Sequence, residues 1–337
     1  MLTTAIIEQV LTTIPSCTIG VLGDLFLDRY LDLDAALTEP SLETGLDAYQ
    51  VTQVRAYPGA AGTVINNLAA LGVGNIVPIS MIGADGEGFE LRQALAAMPN
   101  VTLSNLVTTD KRRTPTYTKP MLIRTRESPR ELNRLDIKNR QPLPRDVENR
   151  ILDSLQAMWS RFDVLLVLDQ VSEPECGVVT SIVRDLLAES ASKKVVIVDS
   201  RERIGLFRNV GLKPNERECL RAAGGDDISA AMRTLAKRAQ RPVICTRGSA
   251  GMSILEDADK TIVDVPAFPV AGPIDVVGAG DSSNAALACA LACGTNLIEA
   301  AAFGNFIASI TIQQLGVTGR ATPEQVRARW REVQAKS

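Results

Sequence analysis

The feature of this sequence that most constrains its fold is the alternation of short apolar runs with amphipathic stretches. Apolar runs rich in β-branched residues and bounded by turn residues are typical of strands buried on both faces of a sheet. They occur at 18–22, 76–82, 164–168, 195–198 and 243–245, and helical patterns lie at 147–159, 176–187 and 228–238. Because helical crossovers join parallel strands, this order predicts an α/β protein with three αβα layers and a mostly parallel central sheet.

Two segments interrupt this alternation. Residues 31–58 contain alternating polar and apolar stretches such as YQVTQV at 49–54, and residues 110–127 are polar and β-prone. Such patterns favour a small β lid that stands off the main sheet; two solvent-exposed hairpins are the alternative. The 337 residues show no repeat and no low-complexity segment, so we predict one domain, 1–337, that carries this lid.

The sequence contains no histidine. This absence excludes Ser-His-Asp and Cys-His nucleophiles, imidazole general bases and histidine-ligated metal sites. A catalytic base would therefore be a carboxylate, Lys, Tyr or Cys. The six cysteines show no metal-ligand spacing, and we predict that Cys289 and Cys293, four residues apart on one helix face, are buried thiols.

Charge and hydropathy limit the classes of partner. The formal net charge of −3 argues against a protein that binds nucleic acid along its phosphates. No apolar run reaches the roughly 18 residues that a membrane-spanning helix needs, and the first 20 residues lack the basic start and cleavage site of a secretion signal. We therefore predict a soluble, cytoplasmic protein without a membrane or nucleic-acid partner.

The strongest chemical signal is the segment 275–281, DVVGAGD, which precedes a helix of small residues at 282–293. Gly278 and Gly280 let the backbone approach a ligand closely, and the helix directs its free N–H groups and positive dipole end at the turn. This combination is typical of a phosphate site. Asp281 at the helix start would be a base with a lowered pKa, and an Asp that only caps the helix is the alternative.

Several segments, in the expected order over essentially the whole chain, resemble the ribokinase-like (pfkB) carbohydrate kinase family. Residues 278–281 with their helix are similar to the family's C-terminal signature, and KPNERE at 213–218 resembles its NxxE element. Residues 246–251 and 305–316 resemble its nucleotide-side turn and adenine-side helix. GDLFLDRY at 23–30 and RLD at 134–136 look closest to the bacterial heptose-phosphate kinase branch.

The resemblance implies an ATP-dependent phosphotransferase that acts on a hydroxyl of a sugar or sugar phosphate. Asp281 would be the base, and Gly278, Ala279 and Gly280 would form the anion hole. The implied ATP contacts are Lys213, Asn215, Glu218, Thr246, Gly248, Gly251 and Asn305. Asn215 and Glu218 would hold Mg²⁺ through water, and Asp275 and Val277 would lie near a monovalent cation such as K⁺. In relatives the lid often forms a dimer interface, which implies a homodimer.

The implied substrate contacts are Asp24, Asp28, Gly59, Ala60, Thr63 and Arg126. Asp28 would be the main acceptor of hydroxyl hydrogen bonds, and a turn cap is the alternative. The sequence departs from the family here, because Ala60 and Thr63 stand where many members have a glycine and an asparagine. Residues 170–173 also lack the basic residue common in the heptose-kinase branch. The sugar, or another alcohol, stays open.

Basic residues in or beside the second lid segment favour a substrate that carries a phosphate, since guanidinium groups bind phosphate through two parallel hydrogen bonds. They are Lys111, Arg112, Arg113, Arg124, Arg126 and Arg130. A solvated surface cluster is the alternative.

Two other classes of function stay open. The altered segment 59–63 favours a non-catalytic nucleotide- or sugar-binding protein on the same fold. A nicotinamide dehydrogenase would need a glycine-rich turn after the first strand, where only Gly23 is present. Because the chain ends at Ser337, we expect no appended nucleotidyltransferase domain.

Overall fold

A computed structural model of the chain describes residues 2–124, 128–191 and 194–336. Its strands are β1 (Thr18–Gly23), β2 (Leu25–Pro40), β3 (Asp47–Ala60), β4 (Asn75–Gly83), β5 (Leu106–Thr109), β6 (Thr116–Ile123), β7 (Arg130–Glu131), β8 (Leu135–Ile137), β9 (Val164–Asp169), β10 (Val195–Ser200), β11 (Gly211–Leu212), β12 (Val243–Thr246), β13 (Met252–Leu255) and β14 (Val263–Val265). Its helices are α1 (Thr4–Thr13), α2 (Ala61–Leu71), α3 (Gly86–Ala96), α4 (Arg145–Met158), α5 (Ser181–Ser190), α6 (Glu216–Ala223), α7 (Ile228–Ala239), α8 (Ala279–Ala292), α9 (Leu297–Thr311) and α10 (Pro323–Lys336).

The main sheet has nine strands in the order β14-β13-β12-β11-β10-β9-β1-β4-β5. Its pairs are parallel from β12 to β5, and the pairs β12–β13 and β13–β14 are antiparallel. Each of the five predicted strand segments lies within one strand of this sheet. The predicted mostly parallel sheet is confirmed.

Apolar side chains cover both faces of the sheet. In β9, Val164, Leu166 and Leu168 belong to one core layer, and Leu165 and Val167 belong to the other. Helices α1, α2, α3, α8, α9 and α10 contribute buried residues to the first layer, and α4, α5, α6 and α7 contribute to the second. The predicted three-layer αβα architecture is therefore confirmed.

Helix ends follow the local polar chemistry. Helix α10 begins with a capping box, since Thr322 Oγ1 accepts from the Gln325 N–H at 3.3 Å and Gln325 Oε1 accepts from the Thr322 N–H at 2.9 Å. The helix predicted from residue 176 is wrong at its start, because α5 begins at Ser181. The Val178 N–H donates to Asp24 at 2.7 Å, so the preceding residues form a loop around that carboxylate.

A second, five-stranded sheet, here called the small sheet, has the order β3-β2-β6-β7 with β8 beside β6. Only Asp24 separates β1 from β2, and β3 runs directly into α2. The long strands β2 and β3 cover most of the first segment predicted as a lid, and β6 covers residues 116–123 of the second. Residues 125–127, which include Arg126, lie outside the described residues.

None of the described helices has the length and hydropathy needed to cross a membrane. The six cysteines are free and buried, so the buried thiols predicted at Cys289 and Cys293 are confirmed.

Candidate active site

Two adjoining cavities lie where the carboxyl ends of the parallel strands meet, the edge at which α/β sheets bind ligands. The first cavity, about 250 Å³, lies between the end of β1, the small sheet and the loop 170–178. The second cavity, about 290 Å³, lies between the ends of β10 to β12 and the start of α8. Gln170 and Arg201 line both cavities.

The glycine turn before α8 forms one wall of the second cavity. Gly278 has a φ of +79°, and a Cβ built on it would lie 2.6 Å from Thr318 Cγ2, so the turn requires glycine there. The Ala279 N–H donates to the Val276 carbonyl at 3.1 Å. Within the described ranges, no acceptor binds the N–H groups of Gly280 and Asp281. These two donors are therefore available to an anion in the cavity.

Asp281 lies in the first turn of α8 and lines the second cavity. Burial, followed by the charge of Asp199, raises the pKa of Asp281 to about 7, although Lys213 and Arg201 act in the opposite direction. The lowered pKa expected from the helix dipole is wrong, because desolvation and a neighbouring carboxylate outweigh the dipole. A carboxyl group with this pKa is a stronger base than an ordinary aspartate near neutral pH.

Lys213 lies at the end of β11, is 2% exposed and lines the second cavity. Its Nζ lies 3.1 Å from Asp199 Oδ2, which also accepts from Asn284 Nδ2 at 2.8 Å. Asp199 was not among the predicted site residues. It directly follows the apolar run 195–198, and this position at a strand end was the available signal.

Asn215 and Glu218 also line the second cavity, and they form the capping box of α6. Asn215 Oδ1 accepts from the Glu218 N–H, and Glu218 Oε2 accepts from the Asn215 N–H, both at 2.9 Å. Burial and the charge of Asp199 raise the pKa of Glu218. In the described part of the chain, no three acidic or cysteine side chains lie close enough together to hold a metal ion.

The remaining residues predicted to bind nucleotide lie along the end of the sheet beyond β11. Thr246 lines the second cavity, and Gly248 and Gly251 form the turn that follows it. Asn305 is buried in α9, and its Nδ2 donates to the carbonyls of Val265 at 2.9 Å and Pro266 at 3.2 Å. Asn305 thus joins α9 to the end of β14.

Asp275 and Val277, predicted to lie near a monovalent cation, belong to the turn before α8. Asp275 Oδ1 accepts from the Val277 N–H at 3.0 Å, and Asp275 Oδ2 accepts from the Gly316 N–H at 3.2 Å. The carboxylate therefore joins the glycine turn to the segment that follows α9.

In the first cavity, Asp24 is buried and its carboxylate holds the loop 170–178. It accepts from the N–H groups of Gln170 at 2.9 Å, Val171 at 3.1 Å and Val178 at 2.7 Å. Burial and the charge of Asp169 raise the pKa of Asp24 to about 6. Asp24 thus shapes one wall of the cavity.

Asp28 lies on β2, opposite Tyr57 of β3 and Tyr117 of β6. Its Oδ1 lies 3.1 Å from Lys119 Nζ, which also donates to the Tyr30 hydroxyl at 3.1 Å. A Cβ built on Gly59 would lie 2.5 Å from Asp28 Oδ2, so this close approach requires glycine. Lys119 was not among the predicted site residues, because it lies beside Asp28 only through the pairing of β2 with β6.

Ala60 is the last residue of β3 and immediately precedes α2, and Thr63 lies in the first turn of α2. Ala60 has φ +53° and ψ −119°, a conformation that glycine tolerates and L-residues rarely adopt. Thr63 is buried within α2 and lines neither cavity. Ala60 therefore has a backbone conformation that favours glycine, although it carries a methyl group.

Three of the basic residues predicted to bind a substrate phosphate, Lys111, Arg112 and Arg113, line neither cavity. Lys111 and Arg113 form ion pairs with Asp146, Asp85 and Glu87. Arg112 is buried and donates to the backbone carbonyls of Gln141, Pro142 and Cys176. The basic side chains that line the first cavity are instead Arg134, Lys138 and Arg201. They come from different elements, so no local cluster in the sequence reveals them.

We expect Ala60→Gly to stabilise the protein. Relief of the positive φ, which costs roughly 1–3 kcal/mol, should exceed the roughly 0.5–1 kcal/mol of backbone entropy that glycine loses on folding. Urea unfolding should show a gain of about 1 kcal/mol. Ala61→Gly, on the neighbouring helical residue, is the matched control and should lose about 1 kcal/mol. Equal losses in both variants would contradict a strained Ala60.

We expect Asp281→Asn to stabilise the folded protein at alkaline pH. Because the folded-state pKa is raised to about 7, the ionised carboxylate destabilises the folded state fully above pH 7. This cost decreases as the pH falls from 7 toward the ordinary aspartate value near 4. The variant should gain roughly 1–3 kcal/mol at pH 8, because water in the cavity screens part of the shift. The gain should be smaller at pH 5, and an equal gain at both values would contradict the raised pKa.

Comparison with known proteins agrees with this geometry. Residues 206–325 match the pfkB family of carbohydrate kinases. The bifunctional protein HldE of Geobacter metallireducens is 32% identical over 316 residues, which cover 91% of this chain and 61% of that protein. HldE of Pelobacter propionicus is 30% identical over 333 residues, covering 96% of this chain and 65% of that protein. The chain thus spans somewhat less than two thirds of the length of these relatives.

Solved structures share the fold. A ribokinase of Arabidopsis thaliana, complexed with ribose and ATP, superposes with a TM-score of 0.65 at 17% identity, covering 93% of this chain and 98% of that chain. A variant of Escherichia coli phosphofructokinase-2 superposes with a TM-score of 0.69 at 18% identity, covering 94% of this chain and 99% of that chain. This likeness shows that the chain has a ribokinase-like fold, and the sequence match identifies residues 206–325 as similar to the pfkB family of carbohydrate kinases.

Proposed function

We propose that this protein is an ATP-dependent kinase that transfers the γ-phosphoryl group to a hydroxyl of a sugar or sugar phosphate. The observation that carries the proposal is the pair of adjoining cavities. The second cavity combines free N–H donors at a helix start with Asp281, and the first cavity opens beside it under the small sheet. This arrangement separates a site for phosphate from a site for a small polar acceptor.

In the proposed reaction, the acceptor oxygen attacks the γ-phosphorus and its proton passes to Asp281. A bond forms between the acceptor oxygen and phosphorus, the bond from phosphorus to the β–γ bridging oxygen breaks, and ADP leaves. The N–H groups of Gly280 and Asp281 would bind oxygens of the transferring group. Lys213 would offset negative charge in the same cavity, since it is buried beside Asp199. Phosphoryl transfer depends mainly on such positioning and charge stabilisation.

The chemistry of the second cavity suits a hydrated Mg²⁺. Asp199, Glu218 and Asp281 line it, and their mutual repulsion contributes to the raised pKa values of Glu218 and Asp281. A cation among such oxygen donors would relieve this repulsion, and Mg²⁺ commonly keeps several waters. Asn215 and Glu218 would hold it through water, and it would neutralise charge on the ATP phosphates. A monovalent cation near Asp275 and Val277 stays a prediction.

On the acceptor side, Asp28 would bind sugar hydroxyls. Its Oδ2 faces Gly59, and its Oδ1 is paired with Lys119, which fixes the orientation of the carboxylate. Lys138 brings positive charge to the first cavity, while Arg134 is paired with Asp136. We infer that the acceptor carries a negative group such as a phosphate. The small sheet would close over it as a lid and exclude water.

We expect release of ADP from Mg·ATP that depends on one member of a panel of sugars and sugar phosphates. The panel would include heptose 7-phosphate, fructose 6-phosphate, ribose and nucleosides. In the wild type, kcat/KM should rise with pH through an apparent pKa near 7, where the Asp281 carboxyl ionises. Asp281→Asn should lower kcat by at least about 10³-fold while calorimetry still shows ATP binding.

Asp185→Asn, at an exposed ion pair with Arg208, is the matched control and should retain full activity. Turnover that survives in Asp281→Asn would refute the proposed base. Retained ATP binding without turnover on any acceptor would instead favour a nucleotide- or sugar-binding protein.

We also propose a homodimer that forms through the small sheet. This sheet exposes large apolar side chains that a monomer would leave in water. They are Leu37, Leu42, Leu46, Tyr49, Val51, Val54 and Tyr57. A bulge at Thr52, where Asp32 pairs with Gln53 and Leu33 pairs with Val51, places Tyr49, Val51 and Val54 on one face. A partner copy could cover that face.

The double variant Val51→Glu/Val54→Glu should convert the dimer to a monomer. Two buried carboxylates in the proposed interface would cost more than the contact supplies. The mass measured by light scattering should fall by half, and circular dichroism should stay unchanged. Leu206→Glu, at an apolar residue of similar exposure outside the small sheet, should leave the mass of the dimer unchanged. A wild type that is monomeric at micromolar concentration would rule out the dimer.

A further inference from the structure

Arg201 occupies the junction of the two cavities. It directly follows β10. Among the described residues, Arg201 and Gln170 are the two that line both cavities. Its backbone is fixed on both sides, since its N–H donates to the Asp169 carbonyl at 3.2 Å and its carbonyl accepts from Arg221. The base of the side chain is therefore held at the boundary between a phosphate site and an acceptor site.

The guanidinium of Arg201 has no fixed partner. Within the described ranges, it makes no hydrogen bond and no ion pair to the protein. Neighbouring arginines differ, because Arg203 is paired with Asp169 and Arg134 is paired with Asp136. A cation that the fold positions at a cavity junction but leaves unpaired is available to a ligand.

The charge of Arg201 acts on groups in both cavities. Burial raises the pKa of Asp281, which lines the second cavity, and that of Tyr117, which lines the first, and the charge of Arg201 opposes the shift in both. Both groups therefore lie within its electrostatic reach. The other charges that act on Asp281 are those of Asp199, Lys213 and Asp28. Glu218 also lines the second cavity. Arg201 and Lys213 are the two cations that act on Asp281.

We propose that Arg201 is a catalytic residue that binds the phosphoryl group while this group passes from ATP to the acceptor. This inference rests on the proposed kinase function. A guanidinium can donate two parallel N–H bonds to two oxygens of a phosphoryl group and offset the charge that develops on it. Arg201 keeps all its protons throughout, because the acceptor proton goes to Asp281. Lys213 is fixed to Asp199, so Arg201 supplies the cation that can follow the group across the junction.

The guanidinium of Arg201 could equally bind a phosphate that the acceptor already carries. Kinetic measurements distinguish that phosphate from the phosphoryl group in transfer. For a phosphoryl group in transfer, Arg201→Met should lower kcat by about 10²–10³-fold and change the KM of the acceptor and the dissociation constant of ATP by less than about threefold. Arg201→Lys should recover part of kcat only, since an ammonium cannot form the bidentate contact.

Lys138 lines only the first cavity, so Lys138→Met should raise the KM of a phosphorylated acceptor and spare kcat. Arg208→Met, at an exposed ion pair, should match the wild type.

Binding of a phosphoryl analogue can be measured without turnover. Aluminium fluoride, which mimics a transferring phosphoryl group, should bind the wild type in the presence of Mg·ADP and bind Arg201→Met at least about tenfold more weakly. An Arg201→Met variant that changes only the KM of the acceptor, like Lys138→Met, would overturn the proposal in favour of a substrate phosphate. Unchanged kcat and unchanged aluminium fluoride binding would refute it altogether. A wild type without turnover that binds aluminium fluoride through Arg201 would contradict the kinase function but not the phosphoryl site.

Discussion

Three partly or fully buried carboxylates at the carboxyl edge of the main sheet organise both cavities. Asp24 accepts three backbone N–H groups of the loop 170–178. Asp169 accepts from the Ser200 hydroxyl at 2.6 Å and pairs with Arg203, whose guanidinium also holds the carbonyls of Val171 and Ser172. Asp199 binds Lys213 and Asn284. Because a buried charge without partners is costly, these loops and side chains are fixed where ligands would enter.

The same carboxylates set the electrostatics of the candidate chemistry. Asp199 raises the pKa of both Asp281 and Glu218, and Asp169 raises that of Asp24. The free protein therefore contains groups that a phosphate-bound cation or an acceptor proton would stabilise. Such local instability is typical of a functional site, since the interactions that relieve it arrive with the ligands. The strained Ala60 lies beside Asp24 in the same region, because the Ala61 N–H donates to the Asp24 carbonyl at 3.0 Å.

The sequence was informative where a local pattern determines structure. Apolar runs and turn residues predicted five strands of the main sheet and the helices α4, α5 and α7, and the glycine turn predicted the helix start at which Asp281 lies. It was uninformative where distant segments meet. The pKa of Asp281 depends on Asp199, and Asp28 is paired with Lys119 only because β2 and β6 lie side by side. The helix start expected at 176 failed for the same reason, since the carboxylate of Asp24, between β1 and β2, determines that loop.

The junction of the small sheet with the main domain has a mechanical consequence. One residue, Asp24, joins β1 to β2, β3 continues into α2 at Ala60, and Leu25 pairs with Ala60 across the two strands. The small sheet is thus attached through two rigid elements rather than through linkers, and this pair of residues forms the pivot about which it would rotate. Asp28 and Gly59 lie within three residues of the pivot. A small rotation about this pivot would therefore displace the tip of the hairpin much further than Asp28 and Gly59, because displacement grows with distance from the pivot.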